Sequence, residues 1–180
     1  KMKKKVLVIS ASPRKGGNSD LLCDALIRGA QEAGKLTEKI SLRDKNLHPC
    51  NACEICLDNG GICAQEDDMA EILAAMIAAD VIVMATPVYF YSMSAQIKML
   101  IDRTYARYME IRNKDFYFIV TAADSNRQAL EIAIDGLRGF TRCLSGAKEK
   151  GVLYGTGVWK AGEVINQPIL QQAYDVGRSL

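Results

Sequence analysis

Short runs of apolar residues alternate along the chain with longer segments in which apolar positions recur every three or four residues. The continuous runs are typical of strands that are covered on both faces, and the longer spacing is typical of amphipathic helices. The pattern predicts strands over Val6–Ile9, Lys39–Leu42, Val81–Ala85, Phe116–Thr121 and Gly151–Tyr154. It predicts helices from Leu21 to Gly34 and over Met69–Ile77, Ala95–Arg107, Ala129–Leu144 and Ile169–Leu180.

Strict alternation of strands and helices indicates right-handed crossovers, which place the strands in one parallel sheet with helices on both faces. The chain has 180 residues, of which 49% are hydrophobic and 24% charged, and no linker or repeat interrupts it. This length and composition predict one α/β domain over residues 1–180. Ligands of such sheets bind beyond the carboxyl ends of the strands, so the loops after each strand are the candidates for a site.

Charge and hydropathy exclude two kinds of partner. The formal net charge of +2 is too small to indicate a nucleic-acid surface. The most apolar stretch, 72–85, is interrupted by Asp80 and is shorter than the roughly 20 residues that a membrane helix needs. No secretory signal is visible, which favours a cytoplasmic, reducing location.

The loop after the first predicted strand combines hydroxyls, an arginine and two glycines, in the sequence ISASPRKGGNSDLL at residues 9–22. Glycines allow backbone N–H groups to turn toward one point, and Asn18 or Ser19 is expected to cap the helix that follows. A helix N-terminus favours an anion, and Ser10, Ser12 and Arg14 add donors that suit a phosphate. The alternative is an exposed Ser/Gly loop with a capped helix and a solvated arginine.

Two further loops reach the same edge of the predicted sheet. After the third strand comes Thr86-Pro87-Val88-Tyr89-Phe90-Tyr91-Ser92, in which three consecutive aromatic residues cannot all point inward. A flat ring could stack there, or the aromatic side chains could pack under a helix or across a subunit interface. After the fourth strand, Thr121, Ala122 and Asp124 supply small residues and donors, and a plain helix cap explains them equally well.

Several motifs together resemble those of the NADPH-dependent FMN reductase family of flavodoxin-like proteins. They are Ser-Pro-Arg followed by Gly-Asn-Ser, Asp67-Asp68-Met69 opening a helix, Thr-Pro-Val-Tyr, Met-Ser-Ala-Gln-Ile-Lys and Ile-Asp-Arg. Within that family the chain is most similar to the iron–sulfur flavoprotein branch. The resemblance implies a flavodoxin-like three-layer sandwich with a five-stranded parallel sheet in the order 2-1-3-4-5.

The resemblance also implies the cofactor contacts. FMN is expected to place its phosphate on Ser10, Ser12, Arg14, Asn18 and Ser19, and its ring on Pro87, Val88, Tyr89, Phe90, Tyr91 and Ser92. Thr121, Ala122 and Asp124 complete the predicted contacts, although relatives often have glycines where this chain has Ala122 and Ala123. No side chain is predicted to be catalytic, because the flavin takes hydride from NAD(P)H and passes electrons on while the protein positions it.

Four of the six cysteines lie within fourteen residues, at Cys50, Cys53, Cys56 and Cys63. In a reducing compartment such clustering favours metal or redox chemistry over disulfides. Three cysteines at a two-residue spacing and a fourth beyond Gly60-Gly61 could hold a [4Fe–4S] cluster. Zinc, a redox-active dithiol and idle cysteines remain open as alternatives. The adjacent Glu66, Asp67 and Asp68 are interpreted as charges that complement the dipole of the following helix.

Three functions follow as alternatives. The first is an oxidoreductase that passes electrons from NAD(P)H through FMN to a small acceptor such as free flavin or a quinone. The second is an electron carrier with FMN and the cluster, reduced by ferredoxin, and the third is a flavin-binding regulatory protein without turnover. The resemblance implies a homodimer or homotetramer with the flavin near a subunit interface.

Overall fold

The computed structural model describes residues 3–180, so residues 1 and 2 of the predicted domain lie outside the described part. The strands are β1 (Lys5–Ser10), β2 (Leu36–Ser41), β3 (Val81–Tyr89), β4 (Ser92–Met93), β5 (Asp115–Thr121) and β6 (Lys148–Gly155). The helices are α1 (Asn18–Glu32), α2 (Ile55–Asp58), α3 (Met69–Ala78), α4 (Ala95–Arg103), α5 (Glu131–Arg142) and α6 (Pro168–Ser179).

Five parallel strands form one sheet in the order β2-β1-β3-β5-β6, which confirms the predicted order 2-1-3-4-5. Val8 of β1 pairs with Lys39 on one side and with Val83 on the other, so β1 lies inside the sheet. β4 is an additional strand that pairs in antiparallel fashion with the end of β3. The sequence did not predict it, because two residues are too few to show a period.

The sheet is buried on both faces, which explains the continuous apolar runs. On one face, Leu7 and Ile9 pack with residues of α3, α4 and α5. On the other face, Val6 and Val8 pack with residues of α1 and α6. The result is the predicted three-layer sandwich, in which β1 is covered on both faces.

Two glycines let α1 and α6 approach each other closely. A Cβ added at Gly29 would lie 2.1 Å from the carbonyl oxygen of Tyr174, and one added at Gly177 would lie 2.0 Å from that of Leu26. Neither position has room for a methyl group, so the two helices pack backbone against backbone. This contact fixes α1, whose N-terminus lies at the predicted phosphate loop.

The element boundaries differ from the predicted ones by up to four residues, as at β3, which runs to Tyr89 instead of Ala85. α4 ends at Arg103 instead of Arg107 and continues as short 3-10 turns, because the Thr104 hydroxyl donates to the carbonyl oxygen of Ile101 at 2.7 Å. β2 begins at Leu36 and β6 at Lys148, three residues before the predicted starts. The first residues of both strands are exposed or polar, so hydropathy alone did not reveal them.

Candidate functional site

The loops after β1, β5 and β6, the start of α1 and the end of β3 enclose one cleft at the carboxyl edge of the sheet. The residues that line it are Ser12, Arg14, Gly17, Asn18, Ser19, Pro87, Val88, Tyr89, Thr121, Ala122, Ala123, Val158 and Trp159. The lining is polar at the loop after β1 and apolar or aromatic at the end of β3 and in the loop after β6. The cleft therefore joins a donor-rich end to a flat apolar wall.

The loop after β1 is folded tightly around Ser12. The Ser12 hydroxyl donates to the carbonyl oxygen of Arg14 at 3.0 Å and accepts from the Arg14 N–H at 3.2 Å. Gly16 has a φ of +66°, and a Cβ added at Gly17 would lie 2.5 Å from the Ser12 hydroxyl oxygen. The sequence needs glycine at both positions, since one has a left-handed backbone and the other has no room.

The N-terminus of α1 lies in this cleft without a capping side chain. Gly17 is the residue before the helix and no side-chain bond caps it, so the predicted capping by Asn18 or Ser19 is wrong. Among the described residues, the buried Ser19 hydroxyl has no hydrogen-bond partner. An uncapped helix end and a free hydroxyl donor both fit a bound phosphate, which accepts hydrogen bonds through its oxygens.

Arg14 and Asn18 bind the loop after β6. Arg14 Nη1 donates to the carbonyl oxygen of Trp159 at 3.0 Å, which uses one of the five N–H groups of the guanidinium. The Asn18 amide donates to the carbonyl oxygen of Lys160 at 2.9 Å and accepts from the Val164 N–H at 3.2 Å. Asn18 therefore ties the start of α1 to the connection between β6 and α6 with both ends of its amide, whereas Arg14 keeps donors for a ligand.

Ser10 lies outside the cleft lining, although it was predicted to bind the phosphate. Its side chain is fully buried and donates to Asp20 Oδ1 at 2.8 Å. The last residue of β1 points into the protein here because alternate positions of a strand face opposite sides.

The predicted ring-binding segment is divided between the cleft and a β-hairpin. Pro87, Val88 and Tyr89 line the cleft. Phe90 and Tyr91 form the two-residue turn between β3 and β4 with φ values of 48° and 59°, and Ser92 pairs with Tyr89 across the hairpin. Phe90 is completely exposed. The hairpin directs the last three predicted residues away from the cleft lining.

The loop after β5 contributes Thr121, Ala122 and Ala123 to the cleft. Asp124 does not line it, because its carboxylate accepts the Asn126 N–H at 2.8 Å and closes its own turn. Sequence reasoning did not identify Val158 and Trp159 after β6. The signal was present in Gly155-Thr156-Gly157 before the single tryptophan, at the carboxyl end of the last predicted strand.

The four clustered cysteines lie on the segment 48–67, which leaves the sheet after β2 and returns to α3. It is called the cysteine segment below. Cys50 and Cys53 are exposed, whereas Cys56 and Cys63 are partly buried. The N–H groups of Ala52 and Gln65 donate to the sulfurs of Cys50 and Cys63, each at 3.4 Å. Such N–H···S bonds stabilise a negative charge on sulfur, as at iron–sulfur sites.

A buried ion pair fastens both ends of the cysteine segment. The Arg103 guanidinium donates to both carboxylate oxygens of Asp67, at 2.6 and 2.9 Å, and both side chains are about 1% exposed. Arg103 also donates to the carbonyl oxygen of His48 at 2.7 Å and to the Cys63 sulfur at 3.5 Å. Burial alone would raise the pKa of Asp67, but Arg103 and the N–H groups of Met69 and His48 lower it overall.

Asp67 therefore does more than complement the dipole of α3. It accepts the Met69 N–H at 3.1 Å at the start of that helix, as a first-turn acid does, but its main partner lies 36 residues away. Sequence reasoning did not pair the two residues, because nothing in the local pattern connects them.

The four predicted metal ligands are not brought together. In residues 3–180, no three cysteine, histidine, aspartate or glutamate side chains form a group that could hold a metal ion. The donors suit iron chemically, but their arrangement does not fit a preformed metal centre. The same described range contains no helix that is both long and apolar enough to span a membrane.

The sheet order and the position of the cleft define a flavodoxin-like α/β protein. Two solved structures share the fold. An azoreductase from Bacillus anthracis has a TM-score of 0.78 and 19% identity, and the match covers 98% of this chain and all of the other. An NAD(P)H:quinone oxidoreductase from Methanothermobacter marburgensis has a TM-score of 0.71 and 19% identity, and the match covers 99% of this chain and 97% of the other.

Residues 4–140 match the NADPH-dependent FMN reductase family, and the chain belongs to it. It is 38% identical to an iron–sulfur flavoprotein of Methanocaldococcus jannaschii over 98% of this chain and 95% of the relative. It is 34% identical to an iron–sulfur flavoprotein of Methanosarcina thermophila over 82% and 69%, respectively. The predicted family is confirmed, and with it an oxidoreductase that uses FMN and NAD(P)H.

Proposed function

We propose that the cleft binds FMN with its phosphate on the loop after β1, and that the protein passes electrons from NAD(P)H to a small flat acceptor such as free flavin or a quinone. The main support for the phosphate position is the buried Ser19 hydroxyl, which lies beside the uncapped N-terminus of α1. Among residues 3–180 this hydroxyl has no hydrogen-bond partner. Bound FMN supplies the ring that accepts hydride and releases electrons.

Three kinds of donor meet at the proposed phosphate position. The N–H groups at the start of α1 carry the positive end of the helix dipole, the Ser19 hydroxyl adds a neutral donor, and Arg14 adds a charge. Arg14 also holds Trp159 through its carbonyl oxygen. The same side chain thus neutralises the phosphate and fixes the loop that forms the opposite side of the cleft.

The proposed ring position lies between the end of β3 and the loop after β5. Pro87 and Val88 offer an apolar surface, and the partly exposed Tyr89 and Trp159 offer aromatic faces at the mouth of the cleft. Within the described residues the lining contains no histidine, carboxylate or thiol. The protein's proposed contribution is therefore to bind, orient and expose one face of a flat ring, and a flat acceptor can stack on that face.

The phosphate position is tested by Arg14→Ala, with Lys15→Ala as the control. Lys15 is an exposed cation of the same loop, outside the cleft lining. We expect Arg14→Ala to raise the Kd for FMN at least about tenfold, as for a lost hydrogen bond to a charged group, and to raise the Kd for riboflavin much less, through the lost bond to the Trp159 loop alone. Equal FMN binding by Arg14→Ala and Lys15→Ala contradicts the proposed position.

The acceptor is tested by steady-state oxidation of NADH and NADPH with a quinone, with free FMN and without any acceptor. We expect the acceptors to accelerate turnover of the FMN-loaded protein. Loaded protein whose flavin is reduced by NAD(P)H but not reoxidised by either acceptor contradicts the small-molecule assignment.

A second candidate is a one-electron carrier in which the cysteine segment holds a [4Fe–4S] cluster and ferredoxin is the reductant. The N–H···S bonds at Cys50 and Cys63 favour it, together with the names of the relatives described above. The segment would have to close around the cluster, since its thiols are not grouped. Iron and acid-labile sulfide are measured per flavin on protein purified without oxygen. About four of each support this candidate, and none contradicts it.

We also propose a cytoplasmic location and a homodimer or homotetramer. A reducing compartment suits the six free cysteines of the described chain. A fully exposed Phe90 at the tip of a hairpin beside the cleft suits an interface between copies. Light scattering on the purified protein gives the number of copies.

A further inference from the structure

A buried carboxylate lies directly behind the proposed phosphate loop. Asp20, in the first turn of α1, is only 3% exposed, and it does not line the cleft. A negative charge near a phosphate is unfavourable by Coulomb's law, so its presence there requires an explanation.

Asp20 binds three separate parts of the chain. Oδ1 accepts from the Ser10 hydroxyl at 2.8 Å, and Oδ2 accepts from the N–H of Gly16 at 3.2 Å. Lys39 Nζ of β2 lies 2.8 Å from Oδ1, and Arg43 Nη1 lies 3.3 Å from Oδ2. One carboxylate thus connects the end of β1, the loop and the region after β2.

Lys39, together with two hydrogen-bond donors, keeps Asp20 charged despite its burial. Desolvation alone would raise the pKa of Asp20, but the bonds to Lys39, Ser10 and the Gly16 N–H outweigh it, and the pKa lies below its usual value. Lys39 and Arg43 also offset the charge that Asp20 would otherwise present to a phosphate. The carboxylate can therefore act as a hydrogen-bond acceptor for the loop at little electrostatic cost to the ligand.

We propose that Asp20 is a positioning residue that fixes the loop 11–17 in its phosphate-receiving shape before FMN binds. Its bond to the Gly16 N–H holds the left-handed turn, and its bond to Ser10 anchors that turn to the end of β1. A loop held in its binding shape loses less conformational entropy when the ligand arrives. The proposal rests on the proposed function, because it concerns the loop assigned to the FMN phosphate.

The test is Asp20→Asn, with Asp24→Asn as the matched control. Asp24 carries the same charge on the same helix and also contacts Lys39, at 2.6 Å. Its side chain is 55% exposed, and within residues 3–180 it makes no hydrogen bond or ion pair with the loop. Both variants remove one negative charge, and only Asp20→Asn alters the bonds to Ser10 and Gly16.

The Kd values for FMN and for riboflavin are measured on both variants by flavin fluorescence. We expect Asp20→Asn to raise the Kd for FMN about tenfold and to leave the Kd for riboflavin unchanged, since only FMN carries the phosphate. Asp24→Asn should match the unaltered chain. Ser10→Ala, which does not change the charge, should also raise the Kd for FMN. It tests the same proposal if Asp20→Asn does not fold.

Three results would overturn the proposal. Tighter FMN binding by Asp20→Asn would show that the carboxylate acts only by repelling the phosphate, because removing that repulsion lowers the Kd whereas loss of loop positioning raises it. Equal losses for FMN and riboflavin would show a general structural role. An unchanged FMN affinity in Ser10→Ala would show that the Asp20 contacts do not hold the loop. An unaltered chain that binds FMN no better than riboflavin would instead overturn the phosphate position itself.

Discussion

Ser10 and Ser19 are both buried hydroxyls near the phosphate loop, but their surroundings differ. Ser10 donates to a charged carboxylate, whereas Ser19 has no hydrogen-bond partner in the described chain. A buried polar group without a partner destabilises a fold by about 1–3 kcal/mol. The free hydroxyl is therefore unfavourable for the protein alone and useful when a phosphate is bound.

We expect Ser19→Ala to raise the Tm of the FMN-free protein and to reduce the increase in Tm that FMN produces. The first effect follows from removal of the unpaired hydroxyl, and the second from loss of a phosphate donor. Thermal unfolding with and without FMN measures both. Ser10→Ala is the control and should lower the Tm in both states, because it leaves Asp20 with one bond fewer. A lower Tm for FMN-free Ser19→Ala would contradict the free-hydroxyl interpretation.

Residue types and their spacing predict that the loop after β1 binds a phosphate, but they do not show how its individual members are placed. The sequence presents Ser10, Ser12 and Ser19 as equivalent donors, and the fold separates them by the direction in which each side chain points. Arg14 and Asn18 bind a loop more than 140 residues away, which no local pattern can indicate.

At the scale of elements, the ion pair of Arg103 and Asp67 joins α4 to the start of α3 and holds the cysteine segment at His48 and Cys63. Burying two charges is costly, and breaking such a pair leaves one of them uncompensated, which typically destabilises a protein by about 3–5 kcal/mol. The pair thus makes the position of the cysteine segment dependent on both helices.

We expect Asp67→Asn to destabilise the protein by about 3 kcal/mol at pH 7, and Asp102→Asn to change stability little. Asp102 is a half-exposed residue of α4 that pairs with Lys98. Because the pKa of Asp67 is lowered in the folded state, its contribution is present above its unfolded pKa of about 3.9 and is lost as the pH falls through the folded value.

Urea denaturation of Asp67→Asn, Asp102→Asn and the unaltered chain at pH 7 and at pH 3 measures how the contribution of Asp67 depends on pH. The difference between Asp67→Asn and the unaltered chain should shrink at the lower pH. Hydrogen exchange should also be faster in the cysteine segment of Asp67→Asn. A difference that is independent of pH would contradict the role of the ionised carboxylate.

At the scale of the whole molecule, alternation of strands and helices was enough to predict a parallel sheet, and the family motifs supplied its order. The pattern succeeded because β1 and β3 are buried on both faces and read as continuous apolar runs. It did not predict the hairpin of β3 and β4, the contribution of Trp159 or the scattered thiols. The hairpin was missed because β4 has only two residues, and Trp159 because it reaches the cleft from a distant part of the chain. A cysteine spacing does not determine how the backbone between the cysteines folds.

The tip of the β3–β4 hairpin combines a strained backbone with an exposed aromatic side chain. Phe90 and Tyr91 both have positive φ values, which bulky residues rarely adopt, and turns of this type normally contain asparagine or glycine. Phe90 is nevertheless aromatic and completely exposed. A residue that is unfavourable both for the turn and for solvation is explained if another copy of the chain covers it.

We therefore expect Phe90→Asn to stabilise the isolated chain by about 1 kcal/mol while weakening its self-association. Asparagine tolerates the left-handed backbone, and it removes the apolar contact that the partner would make. Light scattering over a range of concentrations measures association, and urea denaturation at the lowest concentration measures the stability of the chain. Leu36→Thr, at the start of β2, is the control for an exposed apolar side chain elsewhere on the surface. If Phe90→Asn and the unaltered chain associate equally, the hairpin is not part of the interface, and the strain at Phe90 must serve the cleft beside it.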